Sequence, residues 1–177
     1  MIVDFLKTAA NLKKISRQGW IDKLSIDDSE SVADHTYSMA IMGMVLSDLK
    51  NYDTEKILKM VLLHDLAEAR IGDYTPDQLS KENKKELENN AFNEIIEKLP
   101  ENIKFNYSEI WKEYQDDISK ESMLVHQIDR LEMTLQAKIY QKEGHSKDKL
   151  NSFFEYAKKD IVDPTLKELF TKIVDEN

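Results

Sequence analysis

Histidines and acidic residues recur at three separated places in the chain where their types suit a metal ion. His35 comes first, the adjacent pair His64 and Asp65 follows, and Asp129 lies much further on. An imidazole and a carboxylate delivered from one turn are suitable neighbouring ligands for a divalent cation, although a lone His-Asp pair is common by chance. Cysteine is absent, so histidine and carboxylate side chains are the groups expected to hold a metal.

Two further acids follow this His-Asp pair closely. Glu68 is four residues after His64, so a continuous helix would place it on the same face, where a general base for an attacking water should lie. Asp73 comes directly after Gly72, where the chain leaves the helix and could turn a second carboxylate toward the same cavity. Both acids could equally be solvated charges near a helix end. A bound cation would offset the unfavourable negative end of the helix dipole at that point.

The elements that must position these groups are expected to be helices. Only 4 Gly and 3 Pro occur in 177 residues, and such a scarcity of turn residues favours long helices. The chain is long enough to bury one sizeable core, and its composition of 41% hydrophobic and 33% charged residues is typical of an all-α protein. No internal repeat or linker divides the chain, so we expect an all-α fold with a single domain over residues 1–177.

The helix that carries His35 has a clear start. Ser31 and Asp34 resemble a capping pair, which places His35 in the first turn of a helix. The segment 17–31 before it lacks a sustained period and is interpreted as a loop with at most a short helical turn. The apolar residues after it predict a strongly buried helix: Met39, Ala40, Met42, Met44, Val45, Leu46 and Leu49.

Two other helices should carry the remaining candidates. Thr54 can cap one that continues to Gly72 and holds the His-Asp pair near its end. Ser119 should cap a long helix that reaches Gly144 and contains Asp129 midway. Further helices are predicted over the first 14 residues, before Pro100, within 107–117, and in two segments after 150, with Pro164 at a helix start.

Charge and hydropathy exclude several classes of partner. The formal net charge is −9, and a nucleic-acid polymer normally requires a dense basic face. A small anionic ligand is still compatible, because a metal and a few cations can reverse the potential inside one pocket. We expect neither secretion nor a membrane partner, since a long apolar segment is lacking. The absence of cysteine fits the reducing cytoplasm, which is the expected compartment.

Taken in order, these segments resemble the HD superfamily of metal-dependent phosphohydrolases. The motifs that carry the resemblance are Glu30-Ser31-Val32-Ala33-Asp34-His35, His64-Asp65-Leu66-Ala67-Glu68 with Ile71-Gly72-Asp73, and Gln127-Ile128-Asp129. The similarity is greatest to the YfbR-like 5'-deoxynucleotidases and extends from about Arg17 to the end of the Asp129 helix. The order H, HD, D at these separations is far more selective than any one of its pieces.

The resemblance implies an HD-domain helical bundle with a central metal site. In it, His35, His64, Asp65 and Asp129 ligate one divalent cation. Such mixed nitrogen and oxygen ligation is compatible with Mn, Co, Mg, Fe, Ni or Zn, and the sequence does not choose among them.

The resemblance also assigns roles around the cation. Glu68 is expected to activate the attacking water, and Asp73 to help position substrate or water. Arg17 is expected to hold the phosphate, for which its planar fork is suited, and Trp20 to line the pocket. As alternatives, Arg17 is a surface cation and Trp20 a packed aromatic.

The leading functional hypothesis is hydrolysis of deoxyribonucleoside 5'-monophosphates, small nucleotides, to deoxynucleoside and phosphate. One alternative is another HD phosphohydrolase acting on a cyclic nucleotide, a nucleoside polyphosphate or another small phosphate ester. A second, from a different class, is a non-catalytic helical ligand-binding module. His126 and His145 are placed outside the site, and a homodimer is expected by resemblance alone.

Overall fold

The computed structural model describes residues 1–176, and within that range it contains ten α-helices and no strand beyond an isolated bridge between Ser16 and Ser31. The helices are α1 Ile2–Asn11, α2 Gln18–Leu24, α3 Val32–Lys50, α4 Thr54–Leu63, α5 Glu68–Ile71, α6 Lys81–Ile96, α7 Glu101–Asp116, α8 Lys120–Lys142, α9 Lys147–Asp160 and α10 Pro164–Asp175. The predicted all-α class is confirmed. Among the described residues, none of these helices has the length and apolarity needed to span a bilayer.

The start of α3 is fixed by the predicted capping pair. The Ser31 hydroxyl accepts from the backbone N–H of Asp34 at 3.2 Å, and the Asp34 carboxylate accepts from the Ser31 N–H at 2.9 Å. Two backbone donors that the helix leaves free are thereby satisfied. Because the cap fixes the first turn of α3, it also fixes the position of His35 within that turn. The His35 side chain is completely buried.

Contacts with α4 and α8 cover only part of α3. Met39 and Leu46 are buried, but the prediction that Met44, Val45 and Leu49 lie in a strongly buried helix is wrong. These three residues belong to an exposed apolar stripe along one face of α3, which consists of Tyr37, Ile41, Met44, Val45 and Leu49. The helix is apolar on nearly every face, and its packing neighbours, chiefly α4 and α8, leave one of these faces uncovered.

A glycine allows α3 and α4 to approach closely. A Cβ atom at Gly43 would lie 3.1 Å from Ile57 Cγ2 and 3.5 Å from Val61 Cγ2. Ile57 and Val61 are fully buried, and they share a core with Ile128 of α8. This close packing brings α3, which carries His35, against α4, which leads to His64 and Asp65.

The segment from 54 to 72 is not one continuous helix. The cap is Asp53, whose side chain accepts from the Lys56 N–H, and not Thr54, which is the first helical residue. α4 ends at Leu63, and the four residues after it form tight turns before α5. Gly72, with φ at 85°, ends the path as predicted, because that conformation suits glycine.

The turns between α4 and α5 follow a three-residue repeat. Backbone N–H groups there donate to the carbonyl three residues earlier: Leu66 to Leu63, Glu68 to Asp65, Ala69 to Leu66 and Arg70 to Ala67. In such a 3₁₀ path, side chains three apart eclipse one another. Asp65 and Glu68 therefore project from the same side, whereas Glu68 does not follow His64 by one α-helical turn as the sequence predicted.

Other boundaries differ modestly from those predicted. The segment 17–31 contains a seven-residue helix, α2, in place of a loop with a single turn. α7 begins at Glu101, well before residue 107, and α6 ends at Ile96, four residues before Pro100. Ser119 caps α8 and Pro164 opens α10, as predicted.

Candidate metal centre and active site

The four candidate ligands converge from three parts of the chain. His35 comes from α3, His64 and Asp65 from the tight turns after α4, and Asp129 from the middle of α8. Asp65 Oδ2 lies 3.0 Å from His64 Nε2 and 3.9 Å from His35 Nε2. Asp129 Oδ1 lies 3.3 Å from His35 Nε2, and His35, His64 and Asp129 offer ligand atoms within 4.8 Å of one another. Donors about 2 Å from a shared ion have separations of this order.

The hydrogen bonds of the two imidazoles fit a cation. His35 Nδ1 lies 2.6 Å from Glu132 Oε2, and His64 Nδ1 lies 2.7 Å from the Val61 carbonyl oxygen. Both acceptors take a proton from Nδ1, which leaves the Nε2 lone pair available for a metal. Both Nε2 atoms are buried and have no hydrogen-bond partner among residues 1–176. Unpaired buried nitrogens are costly unless something positive binds them.

The electrostatics of the site favour positive charge. Burial acts to raise the pKa of Asp129, but the contact with His35 and the nearby Arg130 hold it well below its usual range. Burial and Arg17 act to lower the pKa of His35, yet Asp129 and Glu132 outweigh them and raise it to about 10. The negative charges that favour a positively charged His35 would equally attract a metal ion at its Nε2 atom.

Glu68 and Asp73 lie beside the four candidate ligands. Glu68 is 1% exposed, and its Oε2 atom has no hydrogen-bond partner within the described part of the chain. Burial, together with the charges of Asp65 and Asp73, raises the pKa of Glu68 well above its usual range. Asp73 Oδ2 accepts from the backbone N–H of Gln18 at 2.9 Å, which ties the turn after α5 to the start of α2.

Arg17 lies at the edge of the acid cluster formed by Asp65, Glu68 and Asp73. Its Nη1 atom is 3.5 Å from Asp65 Oδ2 and 3.9 Å from Asp73 Oδ2, and its side chain is 16% exposed. Burial acts to lower the pKa of Arg17, but Asp73 and Asp65 raise it, so the guanidinium is firmly charged. The structure thus brings Arg17 to the site, with its remaining donors available to an anion.

Trp20 takes a different position. The ring is 2% exposed, packs against Phe153 and Tyr140, and donates from Nε1 to Glu30 Oε1 at 2.7 Å. Burial and the neighbouring Glu132 raise the pKa of Glu30 to about 7. The proposed place of Trp20 in the substrate pocket stays a prediction, and the contacts seen here are those of a packed residue.

Comparison with protein families matches the HD domain model over residues 9–169, most of the chain. The chain belongs to the HD-domain family.

Two relatives and one solved structure illustrate the similarity. The 5'-deoxynucleotidase HDDC2 of Dictyostelium discoideum is 40% identical, over 94% of this chain and 93% of that protein. The protein of the same name from Homo sapiens is 33% identical, over 97% of this chain and 84% of its own length. A conserved hypothetical protein from Pyrococcus furiosus shares the fold with a TM-score of 0.76 and 29% identity, covering 98% of this chain and 99% of that one.

Two residues of this HD domain were missed by the sequence reasoning. Glu132 had a detectable signal, because it follows Asp129 by three residues and therefore lies on the same face of α8. Lys84 had none: it lies on the highly charged α6, whose charges suggested a solvated face. In the structure, Lys84 Nζ is 3.3 Å from Glu68 Oε1.

The two histidines excluded from the site lie outside it in the structure as well. The His126 ring stacks on Tyr114, and its Nε2 lies 3.1 Å from the Tyr114 carbonyl oxygen. The His145 ring packs edge-on against Tyr140 at the end of α8.

Proposed function

We propose that this HD-domain protein is a metal-dependent 5'-deoxynucleotidase that hydrolyses deoxyribonucleoside 5'-monophosphates to deoxynucleoside and phosphate. The relatives that carry the name 5'-deoxynucleotidase HDDC2 support this activity, as do the residues at the site. The observation that carries the proposal is the pair of buried, unpartnered Nε2 atoms of His35 and His64 facing the Asp65 and Asp129 carboxylates.

His35, His64, Asp65 and Asp129 would hold the cation. When bound, a divalent ion supplies a Lewis acid that polarises the phosphoryl oxygen and lowers the pKa of a nearby water. We propose a single ion, with Mn, Co, Mg, Fe, Ni and Zn all compatible with these donors. A second acidic group formed by Glu30, His35 and Glu132 is already occupied by hydrogen bonds from Trp20 and His35.

Residues next to the ligands supply the proton transfer and the substrate contacts. Glu68 Oε2 accepts a proton from water as the water oxygen attacks phosphorus. The phosphorus–oxygen bond to the nucleoside breaks in line, and the departing 5'-oxygen takes up a proton from solvent, to which Glu68 later returns its own proton. Arg17 holds the phosphate through the donors that Asp65 and Asp73 do not use, and Asp73 fixes Arg17 and the α2 backbone in place.

Phosphate release from a panel of esters tests the proposal. Metal-stripped protein is reloaded with each divalent ion and given deoxyribonucleotides, ribonucleotides, cyclic nucleotides and nucleoside polyphosphates. We expect turnover of the deoxyribonucleoside monophosphates, no metal binding or activity for Asp129→Ala, and metal binding without activity for Glu68→Ala. Glu86→Ala, an exposed acid on α6, is the matched control. No turnover with any ion would overturn the enzyme assignment, and turnover restricted to another ester would move it to a different phosphohydrolase.

The remaining features of the proposal concern the whole chain. We propose that residues 1–177 are a single HD domain, that the protein acts in the cytoplasm, and that it forms a homodimer. The exposed apolar stripe of α3 supports self-association, because such a stripe is costly to leave in water. Light scattering on the wild type and on Val45→Glu, a charge placed in the stripe, tests the dimer. A monomeric wild type would contradict it.

A further inference from the structure

Lys84 reaches into the acid cluster from α6. Its Nζ atom donates to the Tyr74 carbonyl oxygen at 3.1 Å and to Glu68 Oε1 at 3.3 Å. The same atom lies 3.7 Å from Asp73 Oδ1 and 3.6 Å from Glu88 Oε1. One ammonium group thus contacts α5, the turn after Gly72 and its own helix, with 28% of the side chain exposed.

Two cations, Arg17 and Lys84, flank Asp73. Arg17 contacts Asp65 and Asp73, and Lys84 contacts Glu68 and Asp73. Asp73 lies between the two cations, one carboxylate oxygen toward each. Burial acts to lower the pKa of Lys84, but the neighbouring acids, Glu68 first, raise it above its ordinary value. Lys84 therefore stays charged at the pH at which Glu68 must be ionised.

The two oxygens of Glu68 are not equivalent. Lys84 Nζ donates a hydrogen bond to Oε1, whereas Oε2 is buried and has no hydrogen-bond partner among the described residues. An anchored carboxylate has one defined free acceptor, and its negative form is stabilised by the ammonium group. Burial and the charges of Asp65 and Asp73 raise the pKa of Glu68, and the Lys84 ammonium acts in the opposite direction.

We propose that Lys84 is a positioning residue for the hydrolysis, which holds Glu68 by Oε1 so that Oε2 is free to take the proton of the attacking water. This inference rests on the proposed function. Lys84 acts through Glu68 and not on the substrate, so its removal should lower kcat and leave KM nearly unchanged.

Lys84→Met and Lys84→Arg test the proposal with the intact, metal-loaded protein. We expect kcat of Lys84→Met on the best deoxyribonucleoside monophosphate to fall about 10- to 100-fold, with KM within about twofold of wild type. Lys84→Arg keeps the charge and should recover most of that loss. Lys85→Met is the matched control, because Lys85 also ties α6 to a neighbour, the Gln115 carbonyl oxygen, but lies outside the site. It should retain wild-type kcat.

A double-mutant cycle separates positioning from a purely structural role. In a Glu68→Gln background, adding Lys84→Met should change the residual kcat by less than about threefold, because the residue through which Lys84 acts is already gone. A loss as large as in the wild-type background would overturn the proposal. Thermal unfolding and Mn²⁺ affinity are measured for each variant, and if Lys84→Met does not fold, Lys84→Gln replaces it.

Two other outcomes have distinct meanings. A rise in KM with unchanged kcat would show that Lys84 binds the phosphate directly and would overturn the positioning role. An inactive wild type overturns the proposed function and this inference with it, whereas an active wild type with an equally active Lys84→Met overturns the inference alone.

Discussion

Glu132 Oε2 lies 2.6 Å from His35 Nδ1, on the opposite side of the imidazole from Asp129 Oδ1, which lies 3.3 Å from Nε2. Both acids come from α8, one turn apart, so a single helix face holds the ring of His35 from both nitrogens. The contact fixes the orientation of the ring and the position of the proton, and thereby directs the Nε2 lone pair toward the other candidate ligands.

Replacing Glu132 should therefore weaken metal binding without touching a proposed ligand. Glu132→Gln keeps the shape of the side chain but loses the charge, and we expect Mn²⁺ affinity to fall about 10- to 100-fold, measured by titration calorimetry. Glu121→Gln is the control, because Glu121 is another buried acid of α8 that pairs with Lys120. Unchanged affinity in Glu132→Gln would show that the contact with His35 does not tune the site.

Arg17 should determine how well the phosphate is held. Arg17→Lys keeps a positive charge but loses the planar fork, and we expect KM to rise about tenfold while Mn²⁺ affinity changes little. Steady-state kinetics on a deoxyribonucleoside monophosphate measure the effect. Arg70→Lys serves as the control, since Arg70 pairs with Glu94 at the surface of the neighbouring helices. An unaltered KM in Arg17→Lys would remove Arg17 from the substrate site.

The effects of a Trp20 variant on the free energy of unfolding and on KM show whether Trp20 is a packed residue or lines the substrate pocket. Trp20→Phe removes the hydrogen bond to Glu30, and we expect the free energy of unfolding to fall by about 1–3 kcal/mol with little change in KM. Urea unfolding of Trp111→Phe gives the matched comparison, because the Trp111 indole donates to Asn89 Oδ1 at the same distance, 2.7 Å. A raised KM with unaltered stability would instead place Trp20 in the substrate pocket.

Asp163, which lies outside the active site, should make the free energy of unfolding depend on pH. Its carboxylate caps α10 and accepts from Lys50 Nζ at 2.6 Å. Burial acts to raise the pKa of Asp163, but Lys50 and the backbone N–H groups of the helix lower it from its ordinary value of 3.8. A lowered pKa stabilises the folded state above pH 3.8, and that stabilisation is lost as the pH falls through the folded pKa.

The corresponding variants separate the cap from the ion pair. At pH 7 we expect Asp163→Ala to lower the free energy of unfolding by about 1–2 kcal/mol, and Asp163→Asn, which can still cap, by less. Both differences from wild type should shrink when urea unfolding is repeated near pH 3. A gap that stays constant with pH would show that the charge of Asp163 contributes nothing.

Features set by neighbouring residues in the sequence were predictable. Ser31 and Ser119 were identified as caps because their hydroxyls bond backbone groups only three residues away. Gly72 ended its helix because the required φ is costly for other residues. The order of the motifs along the chain also indicated the four candidate metal ligands, and their side chains lie close together in the structure.

Features set by tertiary packing were not predictable in the same way. The exposure of Val45 depends on which faces of α3 its neighbours cover, and the apolar pattern alone does not contain that information. The approach of Lys84 to Glu68 joins residues 16 apart, on two helices separated by a turn, and no periodicity reports it. The burial of Trp20 depends on Phe153 and Tyr140, which lie far along the chain.

The three-residue path between Asp65 and Glu68 makes this segment sensitive to length. Each residue there turns the chain by about 120°, so a single insertion or deletion would rotate the Glu68 carboxylate by a third of a revolution away from Asp65. Protein engineers who wish to alter this enzyme should therefore vary side chains within the segment while keeping its residue count unchanged.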